Sequence, residues 1–288
     1  MSGAAAEEPD RQPVRDLGTI TAPVLVFGGP YSNLEAAAAM RRRAQELGIP
    51  ADRVVCTGDV VAYCADPEPT VDLIRDWGVH VVMGNCEESL ASAAADCGCG
   101  FAEDSTCAVL SESWYRYADA AVSPAARAWM AALPRRVTFR AGALRFGAIH
   151  GAVSAINRFV FPSTPWPEKS RELDAAGVDG VLAGHSGIPF TQIEGTRIWH
   201  NAGVIGMPAN DGTPDGWYSV LVPGERGVVL SHHRLVYDAN TAAARMREAG
   251  LPEGYTRALT TGLWPSLDVL PDAERRRTGQ RLTLSDAL

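Results

Sequence analysis

Val54-Val55-Cys56-Thr57-Gly58-Asp59 is the stretch on which the reading of this chain turns. Its apolar run predicts a buried strand, and Gly58 permits a sharp turn from which Asp59 projects at the strand's carboxyl end. Open α/β sheets gather their ligands at that edge. Three later stretches repeat the pattern of an apolar strand running into a short polar turn: Val81-Val82-Met83-Gly84-Asn85, Phe146-Gly147-Ala148-Ile149-His150-Gly151 and Gly180-Val181-Leu182-Ala183-Gly184-His185. Each turn delivers one side chain able to ligate a metal, so Asp59, Asn85, His150 and His185 form the candidate set.

Working outward, Pro23 to Phe27 predicts a first strand and Asn33 to Leu47 a helix ended by Gly48 and Pro50. A second helix is expected from Pro67 to Trp77, closed by Gly78, before a strand over Val79 to Met83. Strand, helix, strand, helix, strand implies parallel pairing with right-handed crossovers. Residues 87 to 134 then change character and read as a helical cap above the carboxyl edge, with Ser123-Pro124 as a helix start. From Arg136 to Leu235 the chain is rich in strands, which predicts a second, mixed sheet facing the first. Residues 1 to 20 are too poor in apolar groups to offset their ordering entropy, and residues 271 to 288 read as a C-terminal tail, leaving one domain over 21 to 270.

Composition narrows the function. With 288 residues, 46% hydrophobic and 21% charged, the chain is of ordinary globular type. A net charge of −8 leaves no broad basic surface for a duplex nucleic acid. No apolar run is long enough to span a bilayer, and the start MSGAAAEEPDRQ lacks the basic and apolar regions of a signal peptide, so a cytoplasmic location and no membrane partner are expected. In that compartment Cys56, Cys64, Cys86, Cys97, Cys99 and Cys107 read as thiols or ligands rather than disulfides. The sequence carries no signal for oligomeric state.

Taken in order, Gly58-Asp59, Gly84-Asn85-Cys86-Glu87, His150-Gly151, Gly184-His185-Ser186-Gly187 and Asn201-Ala202-Gly203-Val204-Ile205-Gly206 resemble the signatures of the calcineurin-like metallophosphoesterase superfamily, especially its bacterial single-domain branch. The likeness runs from about Val24 to Asp238. It implies a four-layer α/β/β/α sandwich of two mixed sheets with the cap inserted. It also implies hydrolysis of a small phosphate mono- or diester, such as a metabolite or nucleotide, by a metal-bound hydroxide. Against the family pattern, Gly29 stands where an aspartate ligand belongs, Tyr31 where a histidine belongs, and Gly187 where a second histidine belongs. All three losses fall on one of the family's two ions. Asp59, Asn85, His150 and His185 match the ligands of the other, a shell of two imidazoles, a carboxylate and an amide that suits one Zn, Fe or Mn ion.

The resemblance assigns further roles. Asp59, Asn85, Cys86 and His150 fall at catalytic positions, Cys86 in the place of a histidine that protonates the leaving group in many relatives, and Asn33 sits beside the metal centre. Outside the resemblance, Tyr31 either donates to substrate from the vacated site or fills the space of the lost ion, and Arg158, shortly after His150, is the best candidate for a phosphate contact. Two other readings remain open. One is a non-hydrolytic descendant that keeps a metal to bind a ligand. The other is a dinuclear enzyme whose second site is rebuilt from Cys64, Cys97, Cys99 or Tyr31. Cys97, Cys99 and Cys107 also fit a separate zinc, or simply a packed turn with buried thiols. His80, His200, His232 and His233 lie outside the motifs and read as structural.

Overall fold

In Val24–Phe27 all four side chains are buried, yet Val24 and Val26 pack into one core while Leu25 and Phe27 pack into another. A strand whose two faces both enter apolar cores must lie in a sheet covered on both sides. The computed structural model describes residues 13–102, 105–225 and 227–287. The elements are β1 (Val14–Thr19), β2 (Val24–Phe27), α1 (Leu34–Glu46), β3 (Val54–Cys56), α2 (Pro67–Trp77), β4 (His80–Val81), α3 (Asn85–Ala91), α4 (Thr106–Ala121) and α5 (Pro124–Ala131). They continue as β5 (Arg136–Ala141), β6 (Leu144–Ala148), α6 (Trp166–Ala176), β7 (Gly180–Ala183), β8 (Phe190–Glu194), β9 (Arg197–Asn201), β10 (Gly216–Pro223), β11 (Val228–Leu235), α7 (Ala239–Glu248), α8 (Glu253–Thr261) and α9 (Asp272–Arg275).

Two mixed sheets result, one ordered β1-β5-β6-β7-β9-β8 and the other β11-β10-β2-β3-β4. Val24, Val26, Val55 and Val82 of one sheet meet Phe139, Phe146, Ala148 and Leu182 of the other in the central core. On the far face of the five-stranded sheet, Met40 and Ala37 of α1 and Val71 and Ile74 of α2 close a second core. Leu173 of α6 covers the far face of the six-stranded sheet. The predicted α/β/β/α layering is therefore the observed one.

Three expectations are corrected. The strands of residues 216–235 do not join the second sheet: β10 pairs antiparallel with β2 in the register Tyr218↔Phe27 and Val220↔Leu25, and carries β11 outside it. Val14–Thr19 is not loose but a parallel edge strand beside β5, held by backbone pairing with little burial, which is why its polar sequence gave no strand signal. The stretch after residue 270 is also held, by α9, by the Leu230–Ala287 bridge, and by Asp211 and Arg234 on Leu282. The rest of the expected tails, residues 1–12 and 288, lies outside the described residues. No helix among the described residues is long and apolar enough to cross a membrane.

Between the sheets, His200 of β9 stacks on His232 of β11 with ring centroids 4.5 Å apart. Burial, then the facing or adjacent imidazole, lowers the affinity of both rings for a proton, His232 to about 4. Both are neutral in the folded chain, whereas the unfolded chain takes up protons below about pH 6.5. Their contribution to stability is thus complete above that pH and is lost as pH falls toward 4. Urea unfolding at pH 7 and pH 4.5 should show the wild type losing stability by about 2–3 kcal/mol from His232 alone, and His232→Gln losing measurably less. Equal losses in the two proteins would rule this pair out as an acid-sensitive element.

Candidate metal centre

Asp59 follows β3, Asn85 opens α3 just past β4, His150 follows β6 and His185 follows β7, so strand ends of both sheets meet at one edge. The turns are tight. A Cβ on Gly58, whose φ is +98°, would lie 2.8 Å from Gly84 N and from Val82 O, so only glycine lets the two strand ends approach. Among the described residues seven non-glycine residues have positive φ, and Tyr31, Ser32, Asp59, Tyr63 and His185 of these surround this edge. Left-handed backbone in bulky residues is costly and concentrates where a site over-determines it.

His150 Nδ1 lies 2.7 Å from the carbonyl oxygen of Thr57 and donates to it, which leaves Nε2 as a lone pair pointing inward. Around Nε2 stand Asn85 Oδ1 at 3.0 Å, His185 Nδ1 at 3.1 Å and Asp59 Oδ2 at 3.2 Å. The Asn85 amide is turned this way by its Nδ2, which donates to Cys97 O at 2.8 Å. With His185 carrying its proton on Nε2, four acceptors face one another with no hydrogen between them. Such a set repels itself until a proton or a cation sits within it, and the residues therefore fit a metal ion. Burial disfavours charge on His150, but Asp59 outweighs it and raises its pKa; the same pairing holds Asp59 low against its own burial. Burial, then His150, push His185 down to about 3, so it stays a neutral ligand. Among the described residues, Asp59, His150 and His185 are the one group of three or more acidic, histidine or cysteine side chains close enough to hold an ion.

Glu87 organises the centre, a role not recognised from the sequence although it lies within the quoted motif. Its fully buried carboxylate accepts from Asp59 N (2.7 Å), Gly84 N (2.9 Å), Val60 N (2.8 Å) and Val61 N (3.3 Å). It thereby joins the turn that carries Asp59 to the one that carries Asn85. Burial, then the neighbouring Asp59, push its pKa up to about 7. Asn201 buttresses the His185 turn in the same manner, donating to Gly184 O and Ser186 Oγ and accepting from Gly203 N.

A carboxylate, an amide and two imidazoles on strand ends where two facing mixed sheets meet define a metal-dependent phosphoesterase type of domain. The model of the calcineurin-like phosphoesterase superfamily domain matches residues 32–222, and the chain belongs to that superfamily, whose members are generally metal-dependent phosphoesterase hydrolases. A metallophosphoesterase from Sphaerobacter thermophilus superposes with a TM-score of 0.65 over 85% of this chain and 100% of its own, at 19% identity. Hypothetical protein PH1004 from Pyrococcus horikoshii OT3 gives 0.71 over 84% and 99%, at 16% identity. At these identities the likeness is one of fold. Uncharacterized protein MJ0912 of Methanocaldococcus jannaschii is 39% identical over 62 residues, which is 22% of this chain and 25% of that protein.

The other sequence candidates separate. Tyr31 lines a cavity of about 70 Å³ that opens onto Asp59 and His185. Asn33 does not line it: its Oδ1 caps α1 at Ala36 N and its Nδ2 donates to Gly206 O, so both ends of the amide serve the scaffold. Arg158 is turned to Glu168 and Glu172, whose carboxylates occupy its guanidinium, and it does not line the cavity either. The Cys86 thiol is buried and, through burial and then Asp59, held well above the usual thiol range, so it stays protonated; Asn85 Nδ2 lies 3.6 Å from its sulfur, and its backbone N–H donates to Asp59 Oδ1 at 3.2 Å. Cys97 and Cys99 form a disulfide across the Gly98 turn, contrary to the expected free thiols, because a two-residue separation there brings their Cα atoms to 5.3 Å. They offer no thiolates for a zinc, and Cys64 points at Gly206 O.

Glu87→Ala would leave the N–H groups of Asp59, Val60 and Gly84 buried without acceptors, at about 1 kcal/mol or more each. Urea unfolding should show a loss of about 3 kcal/mol or more, with Glu87→Gln intermediate. A loss below about 1 kcal/mol would show that the two turns are held by other contacts.

Proposed function

We propose that the chain is a phosphoesterase that works through a single divalent transition-metal ion (Zn, Fe or Mn) held by Asp59, Asn85, His150 and His185, and hydrolyses a small phosphate mono- or diester. The observation that carries this reading is the convergence of Asn85 Oδ1, His185 Nδ1 and Asp59 Oδ2 on His150 Nε2 within 3.2 Å. A divalent cation there supplies Lewis-acid polarisation of a P–O bond and a lowered pKa for an attacking water.

The chain's own residues do the remainder. Thr57 fixes the His150 tautomer, and Glu87 fixes the two turns. Tyr31, whose phenol burial and then Asp59 keep protonated, is placed to donate a hydrogen bond to a phosphoryl oxygen. Support for one ion rather than two comes from Gly29, where a Cβ would lie 2.6 Å from the Tyr31 ring and 2.7 Å from Val204. A side chain cannot return to that position while the phenol is in place.

Metal analysis after reconstitution with Zn or Mn should find about one equivalent in wild type and less than about a tenth of that in His185→Ala. Wild type should turn over an aryl phosphate ester. Equal metal content in the two proteins would overturn the ligand set, and a full equivalent without turnover of any mono- or diester would favour a non-hydrolytic binding protein.

A further inference from the structure

The half of the site lacking the family's second ligand set is walled by aromatic rings. Tyr31 lies over Gly29, and a Cβ on Gly187 would touch the Trp264 ring at 3.4 Å, so rings cover both glycines that stand at vacated ligand positions. Tyr63 packs edge-on to Tyr31 at 4.8 Å and against Tyr255 at 4.7 Å. On the opposite wall Phe159 lies 4.2 Å from the His185 ring and stacks with Phe101 at 6.4 Å. These rings come from three separate regions: the turns at the strand ends, the 87–134 insertion and the C-terminal segment beyond Asp238. Trp264 is fixed there by its Nε1 on Pro208 O at 2.7 Å and its N on Asn210 Oδ1 at 2.9 Å.

Charge completes the description. Neither lysine nor arginine is among the described residues lining this cavity. Arg158 is held by Glu168 and Glu172, while Arg135 and Arg136 line a separate cavity and Arg135 is paired with Glu88. Among the described residues this cavity therefore offers a substrate phosphate no lysine or arginine, the Arg135 and Arg136 cavity reaching the centre only along His150. A divalent ion beside the one Asp59 carboxylate would leave about one net positive charge. A monoester dianion or a polyphosphate would carry uncompensated charge into a desolvated site, whereas a diester monoanion would not.

We infer that this cavity is the subsite for a single-ring aromatic ester group and that the substrate is a phosphodiester monoanion bearing such a group. The inference rests on the phosphoesterase reading and adds its substrate class. At about 70 Å³ the space is less than half the roughly 150 Å³ of a closed cavity that holds benzene, so it takes part of one ring, the remainder lying in the open mouth. The Phe159, Trp264 and Tyr63 rings line the cavity and supply apolar contact, with Asp59 and His185 at the same wall.

The experiment is a calorimetric titration of the full chain, with and without bound Zn, using diphenyl phosphate, dimethyl phosphate and phenyl phosphate. Diphenyl phosphate should bind at least about tenfold more tightly than dimethyl phosphate in both forms, from the apolar area buried. It should also exceed the dianionic phenyl phosphate by about tenfold in the Zn form. Phe159→Ala and, independently, Trp264→Leu should each shrink the diphenyl-to-dimethyl ratio at least about threefold, with far-ultraviolet circular dichroism confirming the fold. Equal affinities, or ratios unchanged in both variants, would overturn the subsite. Turnover of bis(p-nitrophenyl) phosphate separates the two readings. Turnover with no aromatic discrimination sinks this inference alone, and discrimination without any turnover sinks the enzymatic reading while leaving the aromatic subsite standing.

Discussion

The arrangement depends on one buried carboxylate. Glu87 takes N–H donors from the turns on both sides of β3 and β4, and so fixes where Asp59 and the start of α3 stand relative to each other. A buried carboxylate is costly unless its lone pairs are filled, and here backbone amides alone fill them. The amides are available because Gly58 and Gly84 approach too closely for side chains, and because Asp59 turns through positive φ. The same left-handed step that exposes these amides also aims the Asp59 carboxylate at His150. Scaffold and ligand geometry are thus set by one local conformation.

Much of this was legible in the sequence. Apolar runs that end in Gly-Asp, Gly-Asn, His-Gly and Gly-His announce strands whose tips carry polar groups, and all four tips do meet. Less legible were elements whose stability is not written in their own residues. The edge strand Val14–Thr19 gains its order from β5, and β10 joins the five-stranded sheet because its Leu221 enters the central core while Tyr218 enters the outer one. An alternating strand reads the same in either sheet, so periodicity alone could not assign it. The positioning role of Glu87 was hidden for a related reason: Gly84 N is local, but nothing in its neighbours reveals the three amides of the Asp59 turn, 26 to 28 residues earlier.

The residues predicted to contact substrate fared differently from the predicted ligands, and the difference has a physical basis. Ligand positions are fixed by strand ends, which sequence patterns locate well. Arg158 was placed by its nearness to His150 along the chain and Asn33 by the family resemblance, but long or amide side chains choose their partners in three dimensions. Glu168 and Glu172 on α6 offered Arg158 a closer match than the cluster did. Asn33 found a helix start and a carbonyl that both needed pairing. Each is engaged locally, and those partners turn both side chains away from the ligand cluster.

The losses at Gly29, Tyr31 and Gly187 take on meaning once the rings are placed. Removing an aspartate and two histidines would by itself leave a hole lined by backbone polar groups. Instead Tyr31 and Trp264 occupy the space over the two glycines, each ring held by its neighbours or by a hydrogen bond of its own. Tyr31, and Tyr63 packed edge-on against it, both adopt positive φ, a conformation that large side chains take only under constraint. A site decaying without consequence would have no reason to retain two such strained aromatics facing the remaining carboxylate. Their placement walls the cavity beside the ligand cluster with apolar surface, and a wall of that kind bears on which groups enter rather than on the chemistry at the cluster itself.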